Sequence, residues 1–571
     1  SKMMIWLYLP FFLAALLVPV TPALIRNILM LATPLVAFLH IWFNISAGTT
    51  ATFSILDFEL VWLRADRLSL LFSYLFCLAS LLSIIFALHV NDRKQQIAGL
   101  IYAGSALGAV FAGDFLTLFI FWELLANSSV FLNWARGTDR AVKAGMRYLI
   151  VQVLSGVLLL AGAVIHYQTS GSLAFDHIGL TGLASWLIFI AFGIKSAFPF
   201  LHGWLTDGYP EATPTGTVFL SAFTTKVAVY ALARGFAGEE ILIYIGVTMA
   251  CFPIFYAVIE NDLRKVLSYS LINQVGFMVT GIGIGTALSL NGAVAHAFSD
   301  VIFKGLLFMS MGAVLFRVGH VNGSDLGGLY KTMPKTTVLC IVGAMSISAF
   351  PLFSGFVSKS MVMAAMLEEN YDYLWLLMLF ASAGVFHHAG IKIPYFAFFA
   401  HDSGLRPQEP PVNMLIAMGL AAAICLLIGS QPQYLYALLP WEVDYWPYDL
   451  THVLTQLQLL FFSALAFVWL NKQGLYPPEL HSVNLDAEWF YRRIMPAAAH
   501  RGLLALRRAR GALSATAKAS METIRYCFSQ STLAKNHLSE SWPTGSMVFW
   551  ISITLAAYLL VDISLYSEPL E

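Results

Sequence analysis

The chain has 571 residues, 58% of them hydrophobic and only 11% charged, with 32 basic residues against 32 acidic ones. A soluble protein carries about 25% charged residues, so this composition, with a mean hydropathy of +0.74, excludes a water-soluble enzyme and predicts a polytopic membrane protein. The even charge balance argues against nucleic acid as a partner, and the five cysteines (Cys77, Cys251, Cys340, Cys425, Cys527) show neither a CxxC pair nor metal-ligand spacing, which argues against zinc or iron–sulfur sites.

A bilayer-crossing helix needs about 20 mostly apolar residues. Such runs fall near 4–20, 23–44, 68–90, 98–113, 114–133, 145–167, 181–200, 215–235 and 241–259, and then near 264–286, 291–315, 337–367 (broken), 373–399, 412–430, 453–470 and 546–563. The first has no small-residue cleavage site and reads as a retained span. None alternates with period two as barrel strands do, so the fold class is all-α, with 14–16 transmembrane helices. Basic clusters (Arg93–Lys94; Arg136, Arg140, Lys143 and Arg147; Arg264–Lys265; Arg317, Lys331 and Lys335) follow odd-numbered spans. Acidic groups (Asp57 and Glu59; Glu239–Glu240; Glu368, Glu369 and Asp372; Glu442, Asp444 and Asp449) follow even-numbered ones. The positive parity marks the cytoplasmic side, which puts both termini outside. Residues 471–545 carry ten Lys/Arg against five Asp/Glu and fall inside, with 498–528 reading as a basic amphipathic helix on the inner membrane surface.

The chain repeats itself. Ser196-Ala197-Phe198-Pro199-Phe200 precedes Gly203, and Ser348-Ala349-Phe350-Pro351-Leu352 precedes Gly355, 152 residues later at the same point of an apolar span. Proline removes a helix donor and glycine loosens the helix. Breaks at membrane depth survive only where protein or a wet cavity surrounds them, and paired breaks in two repeats point to an ion or substrate path. The Gly- and Pro-rich stretch 201–214 reads as the unwound middle and return loop of the first broken helix, packed inside the protein by its aromatics.

Ionisable side chains within spans are costly and therefore functional by default. They are Glu123 in FLTLFIFWELLANSSVFL, Lys195 before the first break, Lys226, then His296, Asp300 and Lys304 on one helix, Lys359 after the second break, and Lys392. His296 and Lys304 lie just over two turns apart, hence on one face. Burial lowers a lysine's pKa and a neighbouring carboxylate raises it, and histidine titrates near neutrality, so the set suits proton movement. Glu123 and Lys195 are expected to form a charged pair, Asp300 to pair with Lys304, and Lys392 has the simple alternative of snorkelling to an interface.

Five motifs in order carry a resemblance: KSAFPFLHGWLTDGYPEATPTGTVFLSAFTTKVAVYALAR from Lys195, FWELLANSS around Glu123, NDLRKVLSYSLINQVGFM from Asn261, AHAFSDVIFKGLLF from Ala295, and SGFVSKSMVM from Ser354. Together they resemble the antiporter-like subunits shared by respiratory complex I and Mrp-type multisubunit Na+/H+ antiporters. The tail LYPPELHSVNLDAEWFYRR resembles that of the D-type members of Mrp complexes, and no long lateral helix of the kind found in the most distal complex I subunit is expected. The resemblance implies two inverted five-helix repeats, each with a discontinuous helix. The divisions are 1–97, a first repeat over 98–259, a second over 260–400, added spans over 401–470, the basic segment 471–545 and a last span over 546–571. It also implies that Glu123, Lys195, Lys226, His296, Lys304 and Lys359 form the ion pathway, running from the cytoplasm to the outside. Expected partners are the other subunits of a cation/proton antiporter complex, the lipid of a bacterial cytoplasmic (inner) membrane, and transported H+ with Na+ or K+. No catalytic residue, metal or cofactor is expected. Subunits of redox-driven complexes (complex I, membrane-bound hydrogenase) or of an energised inorganic-carbon uptake complex use the same module. A quinone reductase or lipid-linked transferase finds no haem-like His pairing, dinucleotide fingerprint or acidic metal cluster to support it.

Overall fold

The computed structural model describes residues 7–533 and 543–566; residues 4–6 of the first predicted span, residues 534–542 of the basic segment and both termini lie outside them. The chain forms two compact units, residues 1–488 and 489–571. The first holds α1 (Leu9–Leu17), α2 (Ala23–Asn44), α3 (Arg67–Phe86), α4 (Arg93–Phe111), α5 (Phe115–Trp134), α6 (Asp139–Ser170), α7 (Leu183–Ser196), α8 (Gly203–Gly208), α9 (Gly216–Ala222) and α10 (Thr224–Gly235). It continues with α11 (Ile241–Ile259), α12 (Leu263–Ile284), α13 (Ala287–Val318), α14 (Pro334–Ile347), α15 (Ser354–Glu368), α16 (Asp372–Val385), α17 (Val412–Ser430) and α18 (Leu450–Lys472). Among the described residues twelve helices are long and apolar enough to cross a membrane, and α7 and α14 are shorter apolar helices. The protein is a multi-span membrane protein.

One element is not helical. Thr50–Ile55 (β1) and Phe58–Arg64 (β2) pair antiparallel, Thr50 opposite Arg64 and Ile55 opposite Phe58. Their β-branched and aromatic residues suit strands, and the hairpin docks through Gly113 N–H on Val61 O at 2.8 Å and Val61 N–H on Asp114 Oδ2 at 2.7 Å.

The duplication is repeated in the backbone. The Phe115 N–H donates to Leu173 O and the Phe175 N–H to Gly113 O, both at 2.9 Å; in the second half Leu263 donates to Val321 O at 3.0 Å and Gly323 to Asn261 O at 2.9 Å. The helices α6 and α13 that follow α5 and α12 are both 32 residues long. Five crossings (α5, α6, α7 with α8, α9 with α10, α11) lie between the starts of α5 and α12. An odd number reverses direction, so the repeats are inverted.

Both breaks are built identically. α7 and α14 end with Phe198 N–H on Gly193 O at 3.0 Å and Phe350 N–H on Met345 O at 3.2 Å. These are six-residue helix-ending loops that need a left-handed residue before the donor. Ala197 and Ala349 supply it at φ 65° and 60°, and Phe200 and Leu352 turn left-handed again at φ 67° and 73°. Pro199 and Pro351 stand between the two reversals. Gly355 is required at its site, since a Cβ there would lie 1.9 Å from Ser346 O. The stretch 201–214 is less unwound than its composition implied, because Gly203–Gly208 forms α8, the second half of the broken helix. It is packed inside as expected. Buried Arg264 clamps it by donating to Pro210 O and Ala212 O at 3.0 Å and Thr213 O at 3.1 Å.

Beyond α18, residues 475–487 run without helix as a strap over the first unit. The second unit contains α19 (Met495–Leu533), 39 residues with its described side chains exposed, and the apolar α20 (Thr544–Tyr566). The basic helix expected over 498–528 is thus present and longer than expected. The basic stretch reads as amphipathic over 498–528; the helix starts three residues earlier, with Pro496 in its first turn where no backbone donor is needed, and runs five residues further.

Candidate functional site

Lys195, Lys226, His296, Asp300 and Lys304 are fully buried, and Lys359 is 3% exposed. Each sits on a helix whose neighbours supply neutral acceptors. The Lys195 ammonium donates to Trp122 O and Gln152 Oε1, both at 3.0 Å, and lies 5.2 Å from the centroid of the Trp122 ring. The indole is itself fixed, its Nε1–H donating to Ser155 Oγ at 2.9 Å and that hydroxyl to Ala191 O at 2.6 Å.

Glu123 and Lys195, expected as a charged pair, act on each other through space, with no ion-pair contact between them among the described residues. Glu123 is half-buried, its Oε1 has no hydrogen-bond partner, and it fills the space over Gly156 on α6, where a Cβ would lie 1.3 Å from that oxygen. Consecutive helix positions point about 100° apart, so Trp122 and Glu123 cannot both face Lys195, and the Trp122 carbonyl and ring hold it.

Lys226 follows an interruption at Phe223 that divides the eighth span into α9 and α10. Its ammonium donates to Ser221 O at 3.2 Å and Thr225 Oγ1 at 3.3 Å and meets Asp300 Oδ2 at 2.6 Å. Asp300 therefore pairs with Lys226 across the two repeats, not with Lys304 on its own helix. Lys304 donates instead to Ser270 Oγ at 2.7 Å. His296 bridges α12 and α15, Nε2 to Gln274 Oε1 at 2.8 Å and Nδ1 to Ser358 Oγ at 2.9 Å. The next residue is Lys359, which lies 4.7 Å from the Phe277 ring centroid and reaches Ile347 O, at the end of α14, at 3.4 Å.

Lys392 does not snorkel. It is fully buried, donating to Ala257 O, Val258 O and Glu260 O at 2.6–3.0 Å and pairing with Glu479 of the strap at 2.9 Å. One turn earlier, where α16 continues in π-helical turns, lies His388, fully buried with both ring nitrogens unpartnered. π-Turns often mark functional positions. The strap also places Asp486 on the His202 Nε2 at 2.8 Å and the Tyr269 hydroxyl at 2.7 Å. Burial pushes that carboxyl up, and the hydrogen bonds and charge of His202 with the Tyr269 hydroxyl outweigh it, holding Asp486 below the ordinary aspartate range. Sequence reasoning missed the neutral partners Gln152, Ser270, Gln274 and Ser358, the buried His388, and the strap acids. A count of buried charges against available counter-charges carries the one signal for the acids: five lysines within spans faced two acids there.

Residues 112–385 match the family described as NADH:quinone oxidoreductase/Mrp antiporter, transmembrane. The D-type Na+/H+ antiporter subunit of Alkalihalophilus pseudofirmus is 30% identical over 346 residues, which covers 55% of this chain and 70% of that one. A chain of the Mrp complex from Dietzia sp. superposes with a TM-score of 0.69 at 22% identity, over 77% of this chain and 96% of its own. A chain of the membrane-bound sulfane sulfur reductase, an archaeal respiratory membrane complex, superposes with a TM-score of 0.71 at 22% identity, over 98% and 100%.

Proposed function

Because the chain belongs to the NADH:quinone oxidoreductase/Mrp antiporter family, we propose that it moves protons across a bacterial cytoplasmic membrane in exchange for Na+ or K+, as the D-type component of an Mrp-type antiporter complex. It is a transporter subunit, not an enzyme. The route runs through Lys195 and Lys226, with Glu123 at its side, crosses the centre at Asp300, Lys304 and His296, and leaves through Lys359. The broken-helix positions Pro199, Gly203, Pro351 and Gly355 hold it open to polar groups. The domains read as an N-terminal group of spans (1–97), two antiporter-like repeats (98–259 and 260–400), added spans, the basic segment and a terminal helix.

One observation carries this reading: five buried bases, each set against hydroxyl, amide or carbonyl oxygens, and Asp300, paired with Lys226, span both repeats and end beside the second break. A proton cannot hop a dry gap in low dielectric, and these groups with their hydroxyl neighbours supply the steps. The test is Lys304→Arg in the whole complex, read as pH-gradient dissipation in vesicles from an antiporter-deficient strain. A guanidinium keeps charge but does not deprotonate, so Lys304→Arg should fail nearly as completely as Lys304→Ala. Wild-type transport would make this lysine a fixed charge and sink the relay.

A second reading, a proton-pumping subunit of a redox-driven complex, has one observation in its favour: the fold match to the respiratory chain continues through nearly all of this sequence. Identifying the subunits that purify with the chain separates the two, since redox-cofactor proteins accompany only the second.

A further inference from the structure

The second break is gripped by residues that lie outside both repeats. The Tyr448 hydroxyl accepts the Leu352 N–H at 3.0 Å, and the Gln456 amide donates to Ser348 O at 3.4 Å. The His452 ring stacks on Phe356 of α15, with centroids 4.4 Å apart and planes at 17°. Between α15, α16 and the start of α18 lies a cavity of about 270 Å3, room for several waters at about 30 Å3 each. Lys359 stands in its buried wall; Ser360, Ser382, His452 and Gln456 line it, and exposed Asp449 stands at its edge. Among the described residues the first break is held differently, through His202 on the strap's Asp486.

The chemistry of the wall suits proton transfer. His452 Nδ1 lies 2.7 Å from Pro447 O. A carbonyl only accepts, so Nδ1 carries the hydrogen and Nε2 of the neutral ring presents a lone pair. The surrounding connections hold Glu368, Glu369, Asp372, Glu442, Asp444 and Asp449, and neither 366–372 nor 441–450 contains a lysine or arginine. By the charge rule this end faces away from the cytoplasm.

We propose that this cavity is the outward port of the route, in which His452, with Asp449 at the mouth, passes protons between Lys359 and the outer water. The proposal rests on the proton-carrying reading of the site. The Lys359 ammonium gives up a proton and becomes an amine; the proton crosses the cavity water, is held at His452 Nε2 and passes by Asp449 to bulk. The His452 ring returns to neutral as it releases the proton, and Lys359 regains its charge when the next proton arrives from within the membrane. Gln456 neither gains nor loses a proton; it ties the port to the break.

Two measurements on the intact complex test this. Ser360→Cys, and Thr455→Cys beside it, should react with a membrane-impermeant thiol reagent added to intact cells, above the background of the natural cysteines, and should be spared in inside-out vesicles. His452→Phe keeps the stacking on Phe356 and removes the nitrogens, so transport should fall roughly tenfold or more, with assembly unchanged and His452→Gln no better. Labelling only from the cytoplasmic side, or full transport by His452→Phe in a complex that Lys359→Ala inactivates, would overturn the port and leave the relay standing. Full transport by Lys359→Ala would instead remove the relay, and the port with it.

Discussion

The Lys226–Asp300 contact sets the electrostatics at the centre of the molecule, because among the described residues Lys226 is the one lysine of the proposed relay that faces a carboxylate at ion-pair distance, 2.6 Å. Breaking a buried pair leaves an uncompensated charge at a cost of about 3–5 kcal/mol. Asp300→Asn should therefore lower the melting temperature of the purified complex, and Lys226→Gln combined with Asp300→Asn should recover most of it without restoring transport. A double variant as unstable as Asp300→Asn alone would show that Asp300 serves something other than Lys226. The pair was not legible in the sequence, where spacing relates a residue only to its own helix and made Lys304, four positions on, the natural partner. At Glu123 the reverse holds: the residue was visible, but its setting depends on Gly156, 33 positions away. Gly156→Ala puts a methyl where Oε1 now lies and turns that flexible side chain aside. Little stability should be lost, whereas transport should fall toward the Glu123→Ala level; vesicle pH-gradient dissipation beside a thermal melt checks both.

At the scale of elements, the two breaks owe their shape to the left-handed alanines more than to the prolines that revealed them. A non-glycine residue in that region costs about 1–2 kcal/mol, and both breaks carry two. Ala197→Gly and Ala349→Gly should raise the melting temperature slightly, corresponding to about 1 kcal/mol each, while Pro199→Ala and Pro351→Ala should leave the helix ends in place. A melting temperature lowered by both glycine variants would show that the alanine methyl groups matter more than the backbone strain. The span order and the break positions were legible because hydropathy and the SAFP duplication are local patterns, whereas the inversion came only with the family resemblance. The hairpin of β1 and β2, the short α8 and the π-turns after α16 were not, since each is fixed by packing against distant segments: β2 by Asp114, and the loop after α8 by Arg264.

At the scale of the whole chain, the strap is the feature that ties the far parts together. Glu479 meets Lys392 at 2.9 Å, Asp486 meets His202, and Asn484 bonds Glu260 at 3.2 Å. Lys392→Met should strand the Glu479 carboxylate and expose the strap to protease, and adding Glu479→Gln should restore protection; digestion patterns of the purified complex decide it. None of these contacts could be read from the sequence, in which 471–545 stands out for its basic charge and its family-like tail and the few acids at its start pass for noise. The same geometry imposes an order in time. His202 and Asp486 are 284 residues apart, and at about 5–20 residues per second the ribosome needs roughly 15–60 s to cover that distance. During this interval both repeats can already be inserted while His202 and Lys392 still lack their acids. A newborn chain that stalls before residue 479 is then a nearly full set of spans with unsatisfied bases at its core, a form that membrane quality control can tell from the finished protein without sampling its transport.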